Sequence, residues 1–548
     1  MDPKLIFKDI LEKGKVPFVN MEEPYDDEFS INVNLGNFKA ACLELHKVLK
    51  SPVMMLFATD VRAKRGVFTL SCVFSSVKYR KWITVTTDID GEDPRFESLS
   101  KEMYSASLFE REIKEMFGIE PAGSPDSRRL KLHDEVWPEG LYPLRKDFPA
   151  VASLWRDPAM SCKDVCVGGV TMSAAASGEY KFKKIEGEGV FEIPVGPVHA
   201  GIIGPGHFRF SVAGEPVINM EARLGFTHRG VEKILEGRTV SDAVKITECV
   251  SGDASFGHSL AFCQAVEKIC GINVPEEASV VRAMMLELER LYNHAADIGG
   301  MAVDVGFSFP SAYASIIKES ILALNKELTG SRYLKNVNRI GGVNKNLTIE
   351  DITCLRGSLK GILKDFGELK DMLYNSVSFM DRVDTAGILK KKTAEDLGVI
   401  GLAARASGIP MDIRKDFPGG TYKKVRFDVI KESGGDCLAR LNVRTAEFAG
   451  SAGMILQFAD ILKCGGQKLF ADHPAVRPGS GLGYVESWRG AVLYWVKLDE
   501  KGTIERCKIV DPSFHNWEAL SFAVLGNIVP DFPLCNKSFD LSYSGNDL

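Results

Sequence analysis

Nowhere does the 548-residue sequence contain an apolar run approaching the ~18 to 20 residues that a bilayer-spanning helix requires. Any attachment to a membrane is therefore expected through partners. There is no long basic block either, and the formal net charge is −5, so the positive footprint of a nucleic-acid or anionic-lipid binder is missing. The twelve cysteines stand singly, none in a C-x-x-C pair, which points to free thiols in a reducing compartment rather than a disulfide framework. Cys162 and Cys166 have neither the spacing nor the companion pair for zinc or iron-sulfur ligation. Met1-Asp2-Pro3-Lys4 opens no signal peptide, so a cytoplasmic location is expected. Gly479-Ser480-Gly481-Leu482-Gly483 is read as preceding a strand rather than a helix, and with no phosphate-cradling loop elsewhere, direct nicotinamide binding finds no support.

What is present is an ordinary globular composition, 45% hydrophobic and 26% charged, in a chain too long for one hydrophobic core. The patterning predicts an α+β fold: a small N-terminal α/β domain over 1–150, a linker over 151–188, and a large domain over 189–548. In the first, an amphipathic helix over 38–49 precedes two alternating β-branched-rich runs, 66–76 and 81–88, that suit neighbouring strands, and then a second helix over 97–117. In the linker Ser, Ala, Gly and Lys follow no period. Beyond it, 192–221 reads as strands. Apolar residues at i, i+3, i+4 and i+7 mark long helices over 278–296, 312–328, 350–383 and 437–462, whose stripes are most simply buried in a bundle with peripheral β-strands. Strand-like alternation returns at 490–497.

The segment Glu110-Arg111-Glu112-Ile113-Lys114-Glu115-Met116-Phe117-Gly118-Ile119 would in isolation be a solvated charged helix face. Coupled to Leu130-Lys131-Leu132 and Tyr142-Pro143-Leu144-Arg145-Lys146-Asp147-Phe148, it resembles the signature of the 30 kDa-type small quinone-module subunit of respiratory complex I. Gly196-Pro197-Val198-His199, Gly225-Phe226-Thr227-His228-Arg229-Gly230-Val231-Glu232-Lys233 and Glu287-Leu288-Glu289-Arg290-Leu291-Tyr292-Asn293-His294 resemble its 49 kDa-type neighbour, which shares ancestry with the large subunit of nickel-iron hydrogenases. Asn338-Arg339-Ile340-Gly341-Gly342-Val343, Gly408-Ile409-Pro410-Met411-Asp412-Ile413-Arg414-Lys415 and Trp488-Arg489-Gly490 extend that likeness. Both regions in one polypeptide are similar to the group 4, energy-converting hydrogenases of the formate hydrogenlyase type. The resemblance implies a nickel-iron-hydrogenase-large-subunit-like domain over 189–548.

In that family four cysteines in two pairs hold nickel and iron, soft thiolates suiting both metals. Registering the stretch 248–261 on His258 puts Ser251 and Ala254 at the first pair, and the same registration of 537–548 puts Ser542 and Gly545 at the second. With no thiolate at any of the four, the chain is expected to bind no metal of its own. A glutamate that passes protons in energy-converting hydrogenases falls at Gly204. In the complex I quinone pocket a histidine and a tyrosine hold the headgroup. His207 or His199 could serve as the histidine, but the tyrosine position falls at Gly252, and that of an arginine beside the terminal iron-sulfur cluster at Cys249.

His199, His207, Asp253, Glu232 and His258 are thus the candidates for an acceptor cavity, able to bind a polar headgroup or pass protons. Against this, a histidine in a Gly- and Pro-rich loop is more often structural, and Asp253 could simply cap the helix that starts near Phe256. Glu287, Arg290 or Leu291, and His294 share one helical face, as a packing network or a proton path. Arg229 and Glu232, at i, i+3, read as an ion pair.

The resemblance implies a prokaryotic subunit held peripherally at the cytoplasmic face of the inner membrane. It would dock on a small subunit carrying a 4Fe-4S cluster and, through it, on antiporter-like membrane subunits. Electrons would pass to an acceptor, a quinone being one candidate, while partners move the ion. A scaffold or conformational transducer without a redox substrate is the rival from another class, and hydrogen activation, which needs nickel, is the third. The end of the sequence at Leu548, where the last ligand motif closes, carries the expectation that no peptide awaits a maturation protease.

Overall fold

Alternating apolar residues over the first 90 positions build one five-stranded sheet. Its strands are β1 (Asn20–Tyr25), β2 (Glu28–Asn32), β3 (Met55–Asp60), β4 (Val67–Ser76) and β5 (Lys81–Asp90), in the order β1-β2-β5-β4-β3. The two runs read as neighbouring strands form the antiparallel β4–β5 ladder, from Val67↔Asp90 to Ser76↔Lys81. The β2–β5 pair is parallel, and helix α1 (Leu35–Leu49), buried through Phe38, Ala41, Cys42 and Leu45, lies in the crossover between them. The structure, a computed structural model, describes residues 3–148, 164–167, 170–173, 179–200, 203–463, 468–471 and 476–548. Among these no helix is long and apolar enough to cross a membrane.

The helix expected over 97–117 is shorter. Arg95–Glu97 is a strand, and helix α2 runs only over Ser107–Phe117 after a 3-10 turn at Tyr104–Ala106. The cause is Glu110, whose buried carboxylate reaches back to the Ser98 hydroxyl (2.7 Å), the Leu99 amide (2.6 Å) and the Ser100 hydroxyl (2.5 Å), folding 98–100 across the first turn. The charges on α2 are not a solvated face. Glu115 accepts the amides of Leu130, Lys131 and Leu132, and Arg111 donates to the carbonyls of Arg128 and Arg129. One half of the motif is therefore the docking template for the other.

Of the expected linker 151–188, residues 151–163, 168–169 and 174–178, with Cys162, lie outside the described residues, as does the side chain of Cys166. The strands Asp164–Val167 and Val170–Ser173 pair antiparallel within it. Strands β6 (Val190–Val195), β7 (His207–Ala213) and β8 (Val217–Arg223) then form an antiparallel sheet. Helices α3 (Ser255–Cys270), α4 (Glu276–Asp304), α5 (Ser308–Thr329), α6 (Ile349–Tyr374) and α7 (Cys437–Ile461) make the bundle. The helix expected over 350–383 breaks after Tyr374, because Ser376 accepts the Phe379 amide (3.4 Å) and starts a separate helix, Val377–Val383. Helix α4 is buried on all sides from Val280 to Ala295, its polar residues included.

The glycines at 479–483 do not precede a strand; they are one. Strand β9 (Gly479–Glu486) pairs with β10 (Ala491–Leu498), which pairs with β11 (Ile504–Val510). A Cβ on Gly483 would overlap the carbonyl oxygen of Ala261, and one on Gly481 would lie 3.1 Å from Ile269, so side-chain-free positions let the strand lie directly on α3. Helices α8 (Pro512–Ala523), α9 (Phe532–Phe539) and α10 (Tyr543–Asp547) close the chain.

The N-terminal sheet shares its core with the large half. Trp82 stacks on Phe417 at 4.8 Å and tilts against Tyr484 at 5.1 Å, Phe57 meets Trp495 at 4.7 Å, and Phe109 meets Phe514 at 4.9 Å. Charges cross the same boundary. Glu112 pairs with Lys131 (2.7 Å) and Lys508, and Lys508 also reaches Glu232 (3.1 Å). Burial pushes the Glu112 carboxyl up, but Lys131 and Lys508 outweigh it and hold it at about 2. Replacing Glu112 with Ala strands two buried ammonium groups beside a single remaining carboxylate. The expected cost is about 3 to 5 kcal/mol of stability, read as a fall in the urea unfolding midpoint, while Glu120→Ala, at the exposed position just beyond the motif, changes little.

Candidate functional site

The site is assembled from the β6–β7 connection, the turn after β8, the loop before α3 and the C-terminal turn around α10. Two histidines brace the first. His199 Nε2 donates to the Gly206 carbonyl at 2.8 Å and His207 Nδ1 to the Gly196 carbonyl at 3.1 Å, tying the two ends of the loop together. Burial lowers the pKa of His207, and its second ring nitrogen, Nε2, accepts from Arg209 Nε at 3.5 Å. Gly196, at φ 79°, could not carry a Cβ without overlapping the Gly206 carbonyl. A Cβ at Gly204 would sit 2.6 Å from the ring of Tyr543. The position registered on the proton-passing glutamate is thus filled from α10.

The turn at 225–229 wraps the C-terminus. Asp547 accepts the amides of Gly225 and Thr227 (both 2.9 Å) and the Thr227 hydroxyl (2.6 Å), and the Asp547 carbonyl accepts His228 Nδ1 (2.7 Å). Arg229 donates to the carbonyls of Cys249, Val250 (both 2.8 Å) and Ser544 (3.2 Å), joining the loop before α3 to the start of α10. The expected Arg229–Glu232 pair therefore does not form. Glu232 faces the other way, toward Arg506 (2.7 Å), Lys508 and the Ile509 amide, since the helix that begins at Val231 turns it into the core.

Three of the four positions registered as metal ligands meet here. The Ser251 and Ser542 hydroxyls are 2.8 Å apart, and Ser542 caps α10 by accepting the Gly545 amide at 2.9 Å. Ser251 donates to Asp253 at 2.6 Å, and Asp253 is gripped by both terminal nitrogens of Arg489, at 2.9 and 2.6 Å. The result is one continuous chain: Gly545 amide to Ser542, Ser542 to Ser251, Ser251 to Asp253, with Arg489 behind. Ala254 contributes its amide to the Ser251 carbonyl (3.1 Å) and a methyl group. A Cβ at Gly545 would lie 2.6 Å from the carboxylate of Asp511, so that carboxylate occupies the space in which a side chain at 545 would begin.

Two expectations about α3 are corrected. Asp253 is not its cap; its carbonyl is held by Tyr292, Asn293 and Trp488, and its carboxylate faces Arg489. Glu289 of α4 does the capping, accepting the amides of Phe256 (2.7 Å) and Gly257 (3.0 Å). His258 does not line a cavity. It is fully buried, Nε2 at 3.0 Å from Asp511 and Nδ1 at 2.9 Å from the Tyr494 hydroxyl. On the far face of α4, Glu287 pairs with Arg290 (3.2 Å) and Arg414 (3.0 Å), while His294 meets Glu447 (3.1 Å). Burial raises the Glu287 carboxyl, but Arg414 and Arg290 hold it at about 2; burial takes His294 down to about 4.

Asp511, Tyr494, Tyr543 and Glu289 were not among the residues singled out from the sequence. Asp511-Pro512-Ser513 is readable as a helix start, and Glu289 lies inside a quoted motif, but which cavity each enters depends on partners hundreds of residues away.

Residues 31–153 match the family described as Respiratory-chain NADH dehydrogenase, 30 Kd subunit. Residues 304–479 and 467–547 match Respiratory-chain NADH dehydrogenase, 49 Kd subunit, and 229–297 match Nickel-dependent hydrogenase. Formate hydrogenlyase subunit 5 of Escherichia coli K12 is 32% identical over 95% of this chain and 89% of its own length. The chain belongs to this family of fused, complex I-like hydrogenase large subunits. Hydrogenase-4 component G of the same organism is 31% identical over 90% of this chain and 83% of its own length. A solved structure of the membrane-bound sulfane sulfur reductase, an archaeal respiratory membrane complex, matches with a TM-score of 0.62 at 25% identity, covering 66% of this chain and 99% of that one. The chain is accordingly an electron-transport subunit of the oxidoreductase class.

Burial, reinforced by the charge of Asp253, pushes the Glu289 carboxyl up to about 8. An acid whose pKa is raised on folding contributes its stability below its unfolded pKa, near 4.5, and loses it as pH climbs toward 8. The wild-type unfolding midpoint is therefore expected to decline between about pH 5 and about pH 8, and Glu289→Gln to flatten that slope. Parallel slopes in the two proteins would contradict this protonation.

Proposed function

We propose that this chain is the redox-module subunit of a membrane-associated energy-converting oxidoreductase, and that the locus around Ser251, Asp253 and Ser542 serves an acceptor other than a nickel-iron pair. The observation that carries the second clause is the pairing of the Ser251 and Ser542 hydroxyls at 2.8 Å, with the Asp511 carboxylate against Gly545. A nickel-iron centre needs soft thiolates; two hydroxyls, a methyl and a glycine supply none, and the Asp511 carboxylate stands where a side chain at the fourth position would begin. The donor set does not fit the metals.

In this reading a partner small subunit with a 4Fe-4S cluster supplies electrons, antiporter-like membrane subunits move the ion, and the chain sits peripherally on the cytoplasmic side. What the residues of this chain do is positional and acid-base. Arg489 fixes the Asp253 carboxylate, the two serines extend it by a hydrogen-bonded chain, and Asp253, its side chain 40% exposed, is the one member of the chain within reach of an incoming headgroup. Two-electron reduction of a quinone-class acceptor consumes two electrons and two protons, and Asp253 is placed to hand on the latter.

A scaffold role has one observation in its favour. His199 and His207 each give one ring nitrogen to bracing the loop, and His258 is sealed behind Asp511. The purified complex decides between them. Reduction of a quinone or dye acceptor is expected, falling about 100-fold in Asp253→Asn with subunit assembly intact, and elemental analysis is expected to find nickel far below one per chain. No turnover with any acceptor leaves the scaffold; nickel at one per chain removes both readings.

A further inference from the structure

If Gly204 cannot pass a proton and Tyr543 fills the space beside it, protons needed at Asp253 must arrive by another route, and the far side of α4 supplies one. Around the Arg405 guanidinium lie four fully or nearly fully buried carboxylates, Glu287, Glu447, Glu486 and Asp412, facing three buried guanidiniums, Arg290, Arg405 and Arg414. The fourth carboxylate has no cation of its own. An uncompensated negative charge in that interior costs several kcal/mol, so the cluster holds one extra proton.

Where the proton sits follows from the contacts. Glu287 has Arg290, Arg414, the Tyr422 hydroxyl and the Ser451 hydroxyl. Glu447 has Arg405 (2.7 Å), Arg290 (3.5 Å) and His294, and Asp412 is forked by Arg414. Glu486 has only a shared nitrogen of Arg405 (2.7 Å) and the Ile413 amide (3.2 Å), and it faces the charge of Asp412. Burial and that neighbour push its carboxyl up to about 7. Asp416, on the outer side of Asp412, is the remaining acid facing the group; burial and Asp412 raise it to about 6.

Glu486 also lies on the wall of a cavity of about 310 Å³, whose rim carries the exposed Gly419 and Gly420 and whose floor includes Arg414 and Tyr422. Toward the candidate site, the next residue, Ser487, has a buried hydroxyl with no hydrogen-bond partner among the described residues. That hydroxyl and the Glu289 carboxylate flank Gly257 from the same side, at 3.2 and 3.1 Å from the point a Cβ there would occupy. Glu289 in turn faces the charge of Asp253. Two residues past Ser487, Arg489 holds Asp253.

We propose that Glu486 is a proton-transfer group: it exchanges a proton with solvent through this cavity and passes it toward Asp253 through water bridging the unpartnered Ser487 hydroxyl and Glu289, which share no direct hydrogen bond. The step is a proton transfer only, water in the cavity reprotonating the Glu486 carboxylate after each donation. It rests on the reading of the Asp253 locus as an acceptor site.

The purified complex tests it in two independent arms. In infrared difference spectra between about pH 5 and about pH 9, carboxylic-acid carbonyl absorption that titrates near neutrality is expected in the wild type, with Glu289 and Asp416 contributing on either side, and Glu486→Gln is expected to remove its central component; an unchanged absorption in the variant overturns the assignment. In acceptor reduction, Glu486→Gln is expected to slow turnover about 100-fold and to flatten its pH profile. Gly420→Leu, which narrows the cavity mouth without touching the charge cluster, is expected to slow it severalfold with the infrared signal intact. Wild-type rates and pH profiles in both variants overturn the route. A wild-type complex that reduces no acceptor sinks the acceptor reading and the relay with it, while the infrared arm still reports on Glu486 by itself.

Discussion

Lys508 is the point on which the two halves of this molecule are aligned. It is 1% exposed on β11, and its ammonium is shared between Glu112 of the N-terminal motif helix and Glu232 of the turn that follows β8. A buried ammonium is tolerated only with its carboxylates in place, so the position of α2 and the position of the turn at 225–233 are fixed by one charge. That turn wraps Asp547 and, through Arg229, holds the loop before α3 against α10. The geometry of the candidate site is therefore set from outside it, by electrostatics at the boundary between the halves.

The site that results is stiff and densely hydrogen-bonded. Loop histidines brace their own backbone, the carbonyl of Asp253 is held by three donors, and the two serines share a proton chain with Asp253. Space that side chains would need at 204 and 545 is taken by Tyr543 and Asp511.

Much of this was legible in the residues. The β4–β5 pair, the bundle helices and the junction of the two homologous regions in one chain follow from period and motif, which are local quantities. Periodicity extends the helix at 97–117 too far because the reach of Glu110 back to Ser98 and Ser100 has no periodic signature. The glycines at 479–483 carry no strand signature of their own, because their reason, the backbone of α3 lying against β9, is a contact more than two hundred residues away in sequence.

By itself, then, the sequence determined the fold class, the family and the identities Ser251, Ala254, Ser542 and Gly545, since these depend on patterns and residue types alone. Only the tertiary structure decided that Asp253 answers to Arg489 rather than to a helix end, that Glu289 does the capping, that Glu232 turns away from Arg229, and that Glu486 lacks a cation of its own. Each of those is a matter of which charge a buried group can reach. Reach is a property of packing, and no spacing along the chain encodes it.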